Sequence, residues 1–180
     1  MGLETKRLKL RLINQNDIDD FHNLHSIAEV DHFNTLGIPV DLKASKKILD
    51  DLLKDQESGS YFTFHIELVE ETKFTGFIDL KLGASKFQAG EVWFKLLPEF
   101  WNKGIASEAL AAVLKFGFGE LKLHRIEAGC AVENIASARV LEKAGMQKEG
   151  TRRQALPLKT GWSDNHQFAI LSSDYYANDE

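Results

Sequence analysis

Cysteine is nearly absent from this chain: Cys130 stands alone among 180 residues, which excludes a disulfide-stapled scaffold. Proline is scarce as well, with three residues, and the 13 glycines are scattered, so collagen-like and low-complexity chains are excluded. An excess of basic charge is missing. With 22 Lys and Arg against 27 Asp and Glu, the net charge of −5 gives no broad surface for neutralising nucleic-acid phosphates, although it leaves room for one local anion pocket. No run approaches the roughly 18 apolar residues that span a bilayer, and Met1 to Lys9 has no apolar core of the signal-peptide kind. Met1-Gly2 opens like a myristoylation motif, but Lys6 stands where Ser or Thr is required. The expectation is a cytosolic protein without membrane or nucleic-acid partners.

What is present is an ordinary globular composition, 43% hydrophobic and 27% charged, without a repeat or a linker. A chain of this length buries about 70% of its unfolded surface in one core. One domain is expected from about Thr5 to about Tyr176, with Met1 to Glu4 and Ala177 to Glu180 as frayed ends. KRLKLRL alternates, so Leu8, Leu10 and Leu12 share one face of a strand over Lys6 to Leu12. Asn16 or Asp17 then caps a helix to about Ser26, and a second helix runs from Asp41 or Leu42 to about Gln56. Three β-rich runs, Tyr61 to Val69, Phe74 to Leu82 and Glu91 to Leu97, read as an antiparallel meander. A helix at Ile105 to Phe118, a strand at His124 to Val132, a helix at Asn134 to Ala144 closed by Gly145, and strands at Gln147 to Leu156 and Asp164 to Ser172 complete a mixed α/β order.

Two segments carry the chemistry. In the first, Trp101-Asn102-Lys103-Gly104-Ile105-Ala106-Ser107, small residues leave backbone amides uncovered at a helix start. Unpaired N–H groups and partial positive charge there suit a phosphate or pyrophosphate. The spacing is neither a P-loop nor GxGxxG, and a plain Gly turn is the competing reading. In the second, helical projection of Glu133 to Gly145 gathers Ala136, Ala138, Val140, Leu141 and Ala144 on a buried arc, with Arg139, Glu142 and Lys143 opposite. Asn134 and Ser137 fall inside that arc, where an unpartnered amide or hydroxyl costs roughly 1–3 kcal/mol. They need partners from a ligand or from the fold, Asn134 as an N-cap to the Ser137 amide and Ser137 by a bond to the previous turn.

Taken together these segments resemble the GNAT superfamily of acyl-coenzyme A N-acyltransferases, and within it the RimJ/RimL-type branch. Gly104 and Ala106 match the phosphate turn Q/R-x-x-G-x-G/A, while Trp101 replaces its Gln or Arg in the form FWxKGxAxEAL usual for the branch. Glu133 to Met146 is similar to ENxxSxxxLEKxGF, with Met146 for Phe. The resemblance implies a central twisted mixed sheet, flanked by helices and splayed between its fourth and fifth strands, that receives acetyl-coenzyme A. It implies backbone contacts from Lys103 to Ser107 to pyrophosphate, with Trp101 and Asn102 in the same turn, pairing of the strand end at Leu96 and Leu97 with pantetheine, and a contact from Asn134. Ser137 would protonate the leaving thiolate, and the reaction would be direct attack by an amine.

Glu91 is the first candidate for the base, sharing a strand face with Trp93 and Lys95; Asp79 and Asp164 are weaker, and a solvated carboxylate is the bland alternative. Cys130 alternates with core residues and reads as a small hydrophobe rather than a nucleophile. His22, His25 and His32 lack the companions for a metal site, so none is expected. His65, His124 and His166 read as surface or core residues, and Arg139 and Lys143 as a solvated face. Acceptor-lining loops are expected at Asp31 to Val40 and Leu156 to Trp162. The implied acceptor is a primary amine, by analogy a protein N-terminal α-amine; a small-molecule amine, or a non-catalytic acyl-coenzyme A-binding module, is the alternative. Monomer and homodimer are both left open.

Overall fold

The computed structural model describes residues 1–177. Eight strands, β1 (Gly2–Glu4), β2 (Leu8–Leu12), β3 (Tyr61–Leu68), β4 (Lys73–Leu82), β5 (Ala89–Leu96), β6 (Arg125–Ala131), β7 (Gln147–Leu158) and β8 (Gly161–Leu171), form one sheet in the order β1-β2-β3-β4-β5-β6-β8-β7. The helices are α1 (Ile18–His25), α2 (Ala28–Asp31), α3 (Leu42–Glu57), α4 (Ile105–Gly119), α5 (Ile135–Lys143) and α6 (Ser172–Ala177). Among the described residues no helix is long and apolar enough to cross a membrane.

Alternation divides the sheet into two faces. Leu8, Leu10, Phe64, Ile66, Ile78, Leu80, Val92, Ile126, Phe168 and Ile170 point to the side covered by α4, where they pack with Leu110, Val113, Leu114 and Phe116. Each fully buried side chain of this size stabilises the fold by about 1.5–3 kcal/mol. The other side is covered by α1 and α3 and has a smaller apolar cluster, Ile13, Phe21, Leu24, Leu49 and Phe77. The rest of that side is polar. Its cross-strand rows read Tyr61, Lys81, Glu91 and Glu127; then Thr63, Asp79 and Trp93; then His65, Phe77 and Lys95.

The helix boundaries follow from local chemistry. Asn14 caps the turn before α1 in a capping box with Asp17, and Asp41 caps α3 by accepting from the Ala44 amide at 2.7 Å. At the end of α5, Gly145 adopts φ +83° and donates to the Glu142 carbonyl, while Met146 donates to Leu141. That pair of bonds is a Schellman motif.

Four sequence expectations are corrected. Gly2–Glu4 is not frayed but pairs with β2, so the strand expected as first is the second here. Two short helices fall outside the expected order, α2 just before the loop that runs on from Asp31, and α6 after β8. The segment expected as a loop from Leu156 to Trp162 is largely hairpin strand, with Leu156 opposite Ser163 and Leu158 opposite Gly161. Ala136 is exposed rather than on the buried arc of α5, because that helix meets the sheet only through Ala138, Val140, Leu141 and Ala144. The end expected to fray from Ala177 lies outside the described residues after Ala177 itself.

Candidate active site

The β5–β6 junction is where the sheet opens. These two strands are parallel and pair only at Ala89 with Arg125, Gly90 with Ile126 and Glu91 with Glu127, after which they part. This is the splay the resemblance implies, between the fourth and fifth strands when β1 is left out of the count. Because the strands are parallel, the helices that follow them start from the open end: α4 after β5 and α5 after β6, in contact with each other. The two informative sequence segments are thereby brought to one place.

Backbone polarity on the β5 side can be worked out from its ends. Gly83 donates to the Ala89 carbonyl and Leu97 donates to the Thr75 carbonyl, both at 2.9 Å. Antiparallel bonding alternates with period two, so the odd-numbered residues of β5 bond to β4 and the even-numbered ones turn their N–H and C=O toward the split. Beyond the last β6 pair those residues include Phe94 and Leu96. Leu96 fits the expected role, but its carbonyl already accepts the Trp101 indole N–H at 2.9 Å. Leu97 is turned inward, and its carbonyl accepts from Phe100.

The turn into α4 has the geometry of an anion site. Asn102 and Gly104 both adopt left-handed backbone, φ +58° and +76°, on either side of Lys103. Gly104 is the N-cap and no side chain caps the helix, so the first-turn amides of Ile105, Ala106 and Ser107 lack intrahelical partners. Trp101, Asn102, Lys103 and Gly104 are exposed and Ile105 anchors the turn in the core. Arg7, from the β1–β2 connection, donates to the Lys103 carbonyl at 3.1 Å and to Glu108 at 2.7 Å. Burial alone would raise the Glu108 carboxyl, but hydrogen bonds from Thr5 and Arg7 outweigh it and hold it below the usual range. The acidic residue in the first turn is therefore a neutralised one. Sequence reasoning missed Arg7, since nothing in KRLKLRL says which helix its polar face meets.

On α5, Asn134 is the N-cap: its Oδ1 accepts from the Ser137 amide at 3.1 Å. The fold-based partner thus takes the oxygen and leaves the Nδ2 donors. Ser137 is half-buried one turn in.

Glu91 reaches solvent at the last paired position, facing Glu127, while the neighbouring strands and side chains partly desolvate its carboxylate. Burial of the carboxylate, then the charge of Glu127, raise it above the ordinary range, with Lys81 and Arg152 opposing. Asp79 sits one strand inward; burial raises it to about 6 against the partial opposition of Thr63 and Lys95. Lys95 is lowered to about 8 by burial, with Asp79 and Asp31 opposing, and His25 to about 4 by burial and the Lys95 charge. Asp164 is tied up: its Oδ1 accepts from the Gln154 amide at 2.8 Å, where Gln154 has φ +46°. The Cys130 thiol, buried, is pushed up to about 11 by desolvation.

The histidines separate. His22 bonds to Ser45, His25 stacks on Phe21 and donates its Nδ1–H to the Phe21 carbonyl, and His32 meets Phe33 edge-on. His65 is buried against Asp20 at 2.9 Å, and Asp17, Asp20 and His65 offer ligand atoms within 4.8 Å of one another. Arg11, however, holds Asp17 through two bonds of 2.8 and 2.7 Å and reaches Glu67 at 2.9 Å. The set is a half-buried ionic brace between β2, β3 and α1, with its cation already supplied by Arg11.

Comparison with known proteins matches the geometry. Residues 7–147 match the family described as the acetyltransferase (GNAT) domain. The uncharacterized N-acetyltransferase YnaD of Bacillus subtilis is 44% identical over 85 residues, 47% of this chain and 50% of that one, so the chain spans half the length of that relative. A crystal structure of a GNAT-family acetyltransferase from Bacillus anthracis superposes with a TM-score of 0.85 at 31% identity, covering 96% of this chain and 99% of that one. An Escherichia coli relative named for alanine N-acetylation of ribosomal protein uS5 is 25% identical, covering 96% of this chain and 92% of its own length. The opening between β5 and β6, the uncapped start of α4 and these likenesses agree: the chain belongs to the GNAT family of acetyltransferases.

Proposed function

We propose that this protein transfers an acetyl group from acetyl-coenzyme A to a primary amine, by direct attack within a ternary complex. The observation that carries this reading is the parting of β5 from β6 beside an uncapped helix start. The residues present fit such a cosubstrate. Gly104, without a side chain, leaves the amides of Ile105, Ala106 and Ser107 open to a pyrophosphate, with the Arg7 guanidinium nearby. The outward backbone groups of Phe94 and the outward amide of Leu96 suit the amides of a pantetheine arm, and Asn134, at the start of α5, keeps its Nδ2 donors for the same arm.

The thioester supplies an activated acyl carbon and a good leaving group. The chain's own contribution is to hold and to move protons. Glu91, raised above an ordinary carboxylate, accepts the proton that the neutral amine gives up as its nitrogen bonds to the acyl carbon, directly or through water. Ser137, half-buried at the start of α5, donates a proton to the departing thiolate. No acyl-enzyme is needed, and Cys130, with its thiol held protonated in the core, does not offer one. The relative named for uS5 makes a protein N-terminal α-amine the first acceptor to try, and a small primary amine the second.

Thermal unfolding with acetyl-coenzyme A, against ATP and NAD, tests the cosubstrate. Ligand at about 100 times Kd adds about 2.7 kcal/mol, which raises Tm by about 5–10 °C for a domain of this size. A shift confined to the coenzyme, with coenzyme A released only when an amine is added, is the expected result. No shift at millimolar coenzyme would refute the reading.

A further inference from the structure

Among the described residues, five buried side-chain atoms make no well-formed hydrogen bond: Gln56 Oε1; Thr63 Oγ1 and Asp79 Oδ1, whose residues face each other across β3 and β4; His65 Nδ1, 3.1 Å from Glu67 Oε1; and Asn165 Oδ1. The four on strands all lie on the polar face of the sheet, away from α4, by the register of β3, β4 and β8. Three of them belong to the closed part of the sheet on β3 and β4. Asn165 alone stands on the far side of the split, opposite Ala131 and next to Gly129 on β6.

Gly129 follows the last β5–β6 pair by two residues, so it lines the opening where the strands have begun to part. It also explains the pose of Asn165. A Cβ built on Gly129 would lie 3.0 Å from both Nδ2 and Oδ1 of Asn165, and 3.3 Å from Nε2 of Gln167. The carboxamide therefore leans from β8 across the bare backbone of β6, occupying the space that any other residue would fill. Asn165 is only 9% exposed, yet its oxygen bonds to nothing. A buried carbonyl oxygen of this kind calls for an N–H or O–H donor, supplied by water or by a bound molecule that displaces it.

We propose that Asn165 Oδ1 receives one N–H of the reacting amine and orients its lone pair toward the acyl carbon. This rests on the acetyl-transfer reading above. The face favours the amine over the coenzyme: Asn165 shares the polar side with Glu91 and Glu127, whereas the coenzyme's fittings are the edge of β5 and the start of α4. A carboxamide oxygen also suits the task, since it accepts a hydrogen bond without removing the proton. A neutral primary amine has two hydrogens, so it can give one to Asn165, release the other after attack, and keep its lone pair free. Asn165 is thus a residue selecting for primary amines.

The test compares wild type with Asn165→Leu, Asn165→Asp and Gly129→Ala, using acetyl-coenzyme A with an alanine-initiated tetrapeptide and with spermidine as amine probes, and measures coenzyme A affinity separately. Asn165→Leu is expected to lower kcat/KM for the amine at least tenfold while the coenzyme Kd stays within twofold; Asn165→Asp, which keeps an accepting oxygen, recovers part of the loss. Gly129→Ala, whose new methyl displaces the carboxamide, lowers kcat/KM in the same direction without touching Asn165 itself. Wild-type kcat/KM in Asn165→Leu, or a loss matched by the coenzyme Kd, would overturn the proposal. A wild-type protein that binds no coenzyme A instead overturns the acetyl-transfer reading, which keeps the two failures apart.

Discussion

Arg7 Nε and Glu108 Oε2 lie 2.7 Å apart across 101 positions of sequence, joining the connection between the first two strands to the first turn of α4. The same carboxylate accepts from the Thr5 hydroxyl at 2.6 Å and the Arg7 amide at 3.0 Å. A negative side chain in that turn would compete with an anion for the helix start; paired to Arg7 it becomes a support that holds a guanidinium beside Gly104 instead.

Arg7→Ala is accordingly expected to weaken coenzyme A binding. Losing a partly exposed cation at a helix N-terminus costs about 0.7–1.4 kcal/mol, which is a three- to tenfold rise in Kd. The loss should shrink with added salt. A Kd unchanged at low ionic strength would remove Arg7 from the anion site.

Gly104→Val tests the turn itself. A β-branched residue at φ +76° costs on the order of 1–2 kcal/mol in backbone strain, and its side chain would stand over the amides and meet Arg7 Nη2, 3.4 Å from the Cβ position. Coenzyme affinity should fall well beyond the change in Tm. Gly104→Asn, which tolerates left-handed backbone, should be milder; equal affinity in a folded Val variant would return the segment to being an ordinary loop.

Asp17 and Glu108, two lowered carboxyls, add to the acid side of the stability curve, alongside His25, kept neutral by burial, and against Asp79, whose raised carboxyl works the other way. Burial opposes ionisation of Asp17, but hydrogen bonds from Arg11 and the Asn14 amide prevail and leave it below its usual 3.8; Glu108 is likewise below 4.5. A depressed folded-state value means stability that is fully present above the unfolded value and is lost as pH falls through the folded one. The part of the unfolding free energy owed to Asp17 and Glu108 should therefore hold from neutrality to about pH 5 and decline below about pH 4. Asp17→Asn should lower stability by about 1–3 kcal/mol at pH 7, since it leaves Arg11 short of a partner, and should flatten the decline. An unchanged slope between pH 4 and 2 in urea titrations would show that the brace contributes nothing there.

Much of this was legible in the sequence, and the exceptions share a cause. The leucine alternation of KRLKLRL, the small residues around Gly104 and the cap at Asn134 are local signals, and each appears where expected. The pairing of Gly2–Glu4 is not, because three residues carry no period. Arg7 with Glu108, or Asn165 over Gly129, depends on strands meeting far along the chain. Leu97 shows the same limit in miniature: the run Glu91 to Leu97 announces a strand, but which of Leu96 and Leu97 turns its backbone outward depends on the register with β4. Glu91 was found on its face, yet its raised pKa comes first from burial at the strand junction and then from Glu127, and both depend on the β5–β6 pairing.

Asn134 carries two roles that substitution can separate. Its Oδ1 caps α5, and Asn134→Ala should cost about 1 kcal/mol of stability, or about 2–4 °C in Tm. Asn134→Asp keeps the accepting oxygen, so stability should return, but it lacks the amide donors. If those donors meet the coenzyme, Asp restores Tm without restoring Kd. Recovery of both by Asp would make Asn134 a cap and nothing more.

Glu91 and the amine must both be unprotonated in the productive complex, so the pH–rate profile should show two rising limbs. One belongs to the acceptor, near pH 8 for an α-amine. The other belongs to Glu91, raised above the ordinary carboxylate value by burial and by Glu127, and activity is lost as pH falls through it because a protonated carboxyl accepts nothing. Glu91→Gln should lower kcat about ten- to a hundredfold, a modest effect because an α-amine needs little help. It should also erase the lower limb while keeping the upper one. Glu127→Gln supplies the control: with the facing charge gone, the lower limb should move to more acidic pH with Glu91 still in place. A Glu91→Gln enzyme with full kcat between pH 6 and 9 would leave the proton to solvent and reduce Glu91 to a strand-end carboxylate.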